Sequence, residues 1–336
     1  MKVISHQMIQ PQELKARNCH ASQCLPLRDG SVFAVWFEGT KEGQDDVCIW
    51  GAKRTVEGVW QPKRRLTEED GLPHWNPVLF QLDDDTIQLY FKKGKPIARW
   101  YTMVMESHDL CETFTEAREL VPGDVGGRGP VRNRPLRLSN GMIAAPASDE
   151  SFLWTAFADL SPDGKTWQAT SKMNIFHSGE QPVRWLDRKL DHSKWRRKRG
   201  VIQPAFWEDE PGKVHALLRS SEGRIYRMDS EDYAAHWCRP YRTGLPNNNS
   251  GIDLTRLSDG RLALVYNPVG FNWGARNPIS LAISEDGGKS FQKVMDLDRA
   301  KGLCEFSYPC VCAKGNRLYI TYTYNRLNIA FWEIEC

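Results

Sequence analysis

The sequence predicts an all-β chain, a six-bladed β-propeller whose last blade is closed by a strand from the N-terminus. Three observations carry the prediction. A strand–turn–strand hairpin recurs six times, four repeats hold a second kind of turn further on, and the last repeat is one strand short.

The hairpins follow in order. Cys19–Gly30 runs into Ser31–Phe37, Trp75–Asp85 into Thr86–Phe91, and Arg132–Gly141 into Met142–Pro146. Gln203–Gly212 leads to Lys213–Arg219, Ser250–Gly260 to Arg261–Asn267, and Ser307–Asn316 to Arg317–Tyr324. Asp29-Gly30, Asn140-Gly141 and Asp259-Gly260 lie between apolar alternations, the strongest short-range hairpin signal a chain carries. The openings recur every 50 to 60 residues or so, once stretched by an insertion, and that period holds four strands. After Tyr324 only one more strand, Leu327–Glu335, fits before the chain stops. Lys2–Met8 is the segment that can supply the missing strand, making residues 1–336 one closed domain.

The second turn type has its own chemistry. Ser284–Phe291 (SEDGGKSF) matches S-x-D-x-G-x-x-[WF] in full, and Ser161–Trp167 (SPDGKTW) is one residue short of it. Ser107–Phe114 and Ser230–Trp237 keep the Ser, the Asp and the aromatic. Ser and Asp side chains cap amides of such a turn while the aromatic plugs the blade edge. These turns are expected to build the fold and to take no part in chemistry.

Composition narrows the function. Hydrophobic residues make up 40% of 336 and charged residues 26%, enough for a large core. No apolar run is long enough to span a membrane, and Met1–Gln10 lacks the pattern of a signal peptide, so the expected location is cytoplasmic. The nine cysteines show no metal-like spacing; Cys310 and Cys312 point to one face of a strand and read as buried thiols. Net charge is +3, yet residues 183–200 alone hold eight Lys/Arg against two Asp. That confines basic charge to one insertion instead of a whole face, which argues against a nucleic-acid partner. Neither a phosphate-binding glycine loop nor a G-x-S-x-G elbow is present, and no cofactor or metal is expected.

With the repeats stand segments such as FEGTKEGQDDVCIW, HWNPVLF, IQPAF, NSGIDLTRLSDGRLALVYN and EFSYPCV. Together they resemble the sialidase superfamily, above all its bacterial predicted-neuraminidase branch with BNR repeats, over nearly the whole chain. The resemblance implies a propeller with a carboxylate-binding arginine triad, a Tyr–Glu nucleophile pair and an Asp acid. By position it assigns the second and third arginines to Arg219 and Arg276, and the first to His20. The Glu falls at Gln203 and the tyrosine at Phe306, with Tyr308 two residues on. The acid loop holds Glu42, Asp45 and Asp46. Three changed positions imply an enzyme other than a true sialidase.

Blade-opening strands and the loops after second strands converge on one mouth of a propeller. His20, Asp46, Asp253, Tyr308, Glu42 and Glu305 are the catalytic candidates there. Arg219, Arg276, Lys92, Arg134, Asn76, Gln203, Asn267, Tyr324 and Arg326 are the candidates for binding substrate, the arginines because they grip carboxylates bidentately. Trp36, Trp50, Trp75 and Trp273 include possible sugar-stacking platforms. The expected activity is exo-acting hydrolysis of a terminal acidic or deoxy sugar from an oligosaccharide. Its alternatives are β-elimination on a uronate, with His20 or Tyr308 as the base, and carbohydrate binding without catalysis.

Overall fold

The computed structural model describes residues 1–11, 18–83, 85–176 and 199–336, and its regular structure is β-strand throughout except for a single turn of 3-10 helix at Ile97–Arg99. No helix among the described residues is long and apolar enough to cross a membrane. The basic insertion at 183–200 lies outside the described residues apart from Arg199 and Gly200, which open a strand.

The strands form antiparallel meanders of four. The first two are Asn18–Pro26, Val32–Gly39, Cys48–Arg54, Arg64–Arg65, and then His74–Asp83, Thr86–Lys93, Tyr101–Ser107, Arg118–Glu119. Leu136–Arg137, Ile143–Asp149, Leu153–Ser161 and Gln168–Ala169 make the third, and Arg199–Glu208, Val214–Ser220, Arg224–Ser230 and Tyr241–Pro246 the fourth. A short parallel bridge, Leu153 to Arg199 and Trp154 to Gly200, merges these two into one eight-stranded sheet. Asp253–Arg256, Leu262–Tyr266, Ile279–Ser284 and Gln292–Asp298 follow. The final meander is Phe306–Lys314, Arg317–Tyr324 and Asn328–Glu335, completed by Lys2–Met8 in register from Lys2–Glu335 to Met8–Ala330.

Local chemistry makes the hairpins. In each L-x-[DN]-G turn the acid or amide side chain accepts the amide two residues on: Asp29 from Ser31 at 3.0 Å, Asn140 from Met142 at 3.0 Å, Asp259 from Arg261 at 3.1 Å. The glycine takes a left-handed φ of 90°, 87° and 92° in turn, which a Cβ resists. The second turn type is equally uniform. Ser107, Ser230 and Ser284 Oγ each accept an amide four residues on, Ser161 accepts one three residues on, and each bonds the Asp two residues ahead.

The core shows how the sheets stand side by side. Along Val32–Gly39 every residue is buried. Phe33, Val35 and Phe37 pack with Leu79, Leu89 and Phe91 of the next meander, while Ala34 and Trp36 pack with Cys310, Tyr319 and Phe331 of the last. A strand with a neighbour on each face reads as an unbroken apolar run. The sheets are not closed into a barrel; side chains join their opening strands instead. Gln23 donates to Arg132 O, Asn76 to Val131 O, Asn133 to Gln203 O, and Val311 N to Asp253.

Candidate functional site

Backbone geometry builds the site first. In four opening strands the ladder skips at the same place: between His20 and Gln23, Trp75 and Val78, Ile202 and Ala205, and Ser307 and Cys310. Inside each skip sits a non-glycine residue with a left-handed φ: Ala21 at 55°, Asn76 at 45°, Gln203 at 54° and Tyr308 at 53°. Such bulges store strain and re-aim a side chain out of the pleat. Asn76, Gln203 and Tyr308 are all followed by proline, as is Arg134, so the motif is readable once it is known.

Tyr308 is the centre. Its hydroxyl accepts from Arg219 Nη1 at 2.5 Å, and the same nitrogen donates to Gln203 Oε1 at 3.1 Å. The guanidinium carbons of Arg276, Arg219 and Arg132 lie 5.3, 5.5 and 5.6 Å from the centre of its ring. Arg132 is fully buried and donates to the carbonyls of Tyr308 and Pro309, with its Nε and Nη1 unpartnered among the described residues. Neither Arg132 nor Arg219 has a carboxylate partner among the described residues. Arg276 and Arg326 do: both donate to Glu305 Oε1, and Arg326 reaches Glu42 as well.

His20 packs its ring 4.1 Å from that of Tyr308, with Nδ1 in a 2.8 Å hydrogen bond to Thr323 and Nε2 buried without a partner among the described residues. Burial, reinforced by Arg326, Arg276, Arg132 and Arg219, holds the imidazole well below its ordinary range, so it is neutral near pH 7. Burial raises Glu305, but Arg276 and Arg326 outweigh it and keep the carboxyl below its usual value. At the edge of this group stands Glu150, buried, accepting from Gln203 Nε2 at 3.1 Å.

Of the residues expected from sequence, His20, Tyr308, Arg219, Arg276, Arg326, Gln203, Glu305 and Glu42 come together. Others are corrected. Asp46 turns into its own loop, where its Oδ2 accepts the amide and hydroxyl of Thr40 at 2.8 and 2.5 Å. Lys92 is buried against Thr102 and the carbonyl of Arg128, and burial lowers it to about 8. Asn76 and Asn267 spend their amides on backbone carbonyls, and Tyr324 packs its ring on Phe306. Arg134 ties together Leu79 O, Cys24 O and the thiol of Cys310. Asp253 accepts the amides of Val311 and Leu254, and burial raises it to about 7. Both lie beside a cavity of about 290 Å³ that reaches Arg137, Glu208 and Arg256, the far ends of the opening strands and so the end opposite Tyr308. Trp36 and Trp75 are core, whereas Trp273 is 58% exposed on the loop that carries Arg276. Cys310 and Cys312 are buried free thiols facing Cys24.

Phe306, the position the resemblance gave to the tyrosine, is core; Tyr308 is the residue that meets Gln203 through Arg219. Arg132 and Glu150 were missed. Arg132 precedes the proline motif by three residues, and Glu150 reaches the site from a loop between strands of the third meander.

The BNR repeat-like domain model matches residues 30–320. The chain belongs to that family. No match was found among curated proteins. Among solved structures, this BNR repeat-like chain is similar to a protein of unknown function from Dyadobacter fermentans, with TM-score 0.74, 15% identity, and coverage of 99% of this chain and 98% of that one. It is also similar to the NanB sialidase of Streptococcus pneumoniae, with TM-score 0.72 and 9% identity over 98% of this chain and 70% of that one. A Trypanosoma rangeli sialidase in complex with the inhibitor DANA gives 0.71 and 11% over 95% of this chain and 55% of its own. At these identities the BNR repeat-like chain shares their fold.

Proposed function

We propose that this protein is a carbohydrate-active enzyme of the glycoside hydrolase kind, removing a terminal acidic sugar from an oligosaccharide at the Tyr308 mouth of a six-bladed, single-domain propeller. The observation that carries the reading is the trio of guanidiniums around Tyr308, two of them without a carboxylate partner among the described residues. Guanidiniums with no carboxylate hydrogen-bonded to them among the described residues call for an anion, and a sugar carboxylate offers the paired oxygens they grip best. Tyr308 already accepts a hydrogen bond from Arg219, which leaves its own proton to be given up. In this reading its oxygen attacks the anomeric carbon, its proton passes by way of neutral His20 to the leaving oxygen, and water then cleaves the glycosyl–tyrosine bond, freeing the sugar and restoring the hydroxyl of Tyr308.

One observation favours a second reading. A buried neutral imidazole whose Nε2 has no partner among the described residues stands beside Tyr308, and the position to which the resemblance gives a Glu holds Gln203. That set also suits β-elimination: arginines neutralise a uronate carboxylate, His20 takes the C5 proton and Tyr308 protonates the leaving oxygen. Incubation with sialosides and uronate-terminated oligosaccharides, following reducing ends and absorbance near 235 nm together, separates the readings. Reducing ends alone support hydrolysis; absorbance that rises with each cleavage supports elimination. A protein that binds these glycans without cleaving any would sink both.

A further inference from the structure

Arg219 is held in an unusual way. Its Nε donates to Asn249 Oδ1 at 2.8 Å, and its Nη1 to Gln203 Oε1 at 3.1 Å. Both acceptors are neutral amide oxygens, and both belong to residues in the left-handed region, at φ 60° and 54°. Since arginine only donates, each amide must turn its oxygen to the guanidinium and its nitrogen away. Each nitrogen then meets an acceptor of its own. Gln203 Nε2 donates to Glu150 Oε1 at 3.1 Å, and Asn249 Nδ2 to Asn272 Oδ1 at 2.8 Å. Asn249 is fully buried and sits in the run Asn247–Ser250, whose first two side chains are likewise bonded to backbone around it.

We infer that Gln203 and Asn249 are positioning residues that fix the Arg219 guanidinium with neutral acceptors, so that its full positive charge is kept for an anionic substrate. A carboxylate in either place would hold the same geometry more tightly and cancel that charge. Glu150 and Asn272 act one step further out, by fixing which way each amide faces. The arrangement also gives a physical reason for Gln203 at a position where the resemblance implies Glu. Arg132 likewise has no carboxylate hydrogen-bonded to it among the described residues, so the site selects for charge. The inference deepens the proposed function and rests on the same mouth, but it concerns anion affinity alone.

The experiment is therefore run on an anion that needs no enzyme chemistry. Inorganic sulfate affinity is measured by ligand-induced thermal shift for the wild-type chain and for Gln203→Glu, Asn249→Asp and Asn249→Gly. The glycine variant keeps the positive φ while removing the amide oxygen. In both carboxylate variants, sulfate affinity is expected to fall about tenfold or more while the ligand-free Tm holds or rises. A merely structural role would lower the ligand-free Tm and leave affinity proportionate. In Asn249→Gly, affinity falls because Arg219 loses its anchor, and a crystal structure would show the guanidinium turned from Tyr308. Unchanged sulfate affinity in Gln203→Glu and Asn249→Asp, or no sulfate binding by the wild type, overturns the inference. Sulfate binding of the expected pattern without turnover of any acidic glycan would sink the proposed function and leave the inference standing.

Discussion

Burial pushes the imidazole of His74 down to about 4, and burial with four guanidiniums pushes His20 well below its ordinary range. Burial pushes Asp253 the other way, up to about 7. Between about pH 4 and 6.5, unfolding thus lets the buried histidines take up protons and Asp253 release one. The histidines make stability fall as pH drops below about 6.5, and Asp253 makes it fall as pH rises above about 4. With His74 and His20 set against the single Asp253, stability should rise with pH as the window nears 6.5. Denaturant titrations at several pH values check it: Asp253→Asn should steepen the slope and His74→Gln should flatten it. At the same scale, Tyr308→Phe deletes one oxygen from a position held by backbone strain and arginine stacking. Activity on an acidic glycan is expected to drop about a hundredfold or more, with the Tm within a degree or so of wild type.

The hairpins answer to local rules, and for that reason they were legible. An L-x-[DN]-G or S-x-D-x-G turn satisfies its own amides within five residues, wherever it is set in the chain. Asp286 accepts the amides of Lys289 and Ser290 and the hydroxyls of Ser284 and Ser290. Asp286→Ala should therefore cost about 1 kcal/mol, seen as a fall of about 2 °C in Tm, with kcat/KM unchanged. The opening strands were less legible, because their bulges appear only when pairing partners are known. Phe306 and Tyr308 differ by one pleat repeat, which sequence position alone cannot sort between core and site. Arg134 lies just ahead of the third opening strand and Asp253 begins the fifth, and both strands lack the left-handed skip that marks the others. Their side chains serve the far end of the axis instead.

Across the whole molecule, charge is gathered where the opening strands converge. Arg132, Arg219, Arg276 and Arg326 come from four different meanders or the loops beside them, so no local run of basic residues announced them. Such a cluster draws anions from a distance and loses reach as salt shortens the Debye length. For an acidic glycan, kcat/KM should fall several-fold between about 0.05 and 0.5 M salt, while a neutral glycan of equal length shows no such dependence. The last sheet has a further consequence. Lys2–Met8 pairs with Asn328–Glu335, which the ribosome makes more than three hundred residues later. The strand that completes the last sheet is thus made well ahead of its partner, and it stays without that partner while more than three hundred residues are translated. Two neighbouring nascent chains on one message could each offer that early strand to the other's late one, so polysome crowding is where an exchanged dimer of this protein would arise.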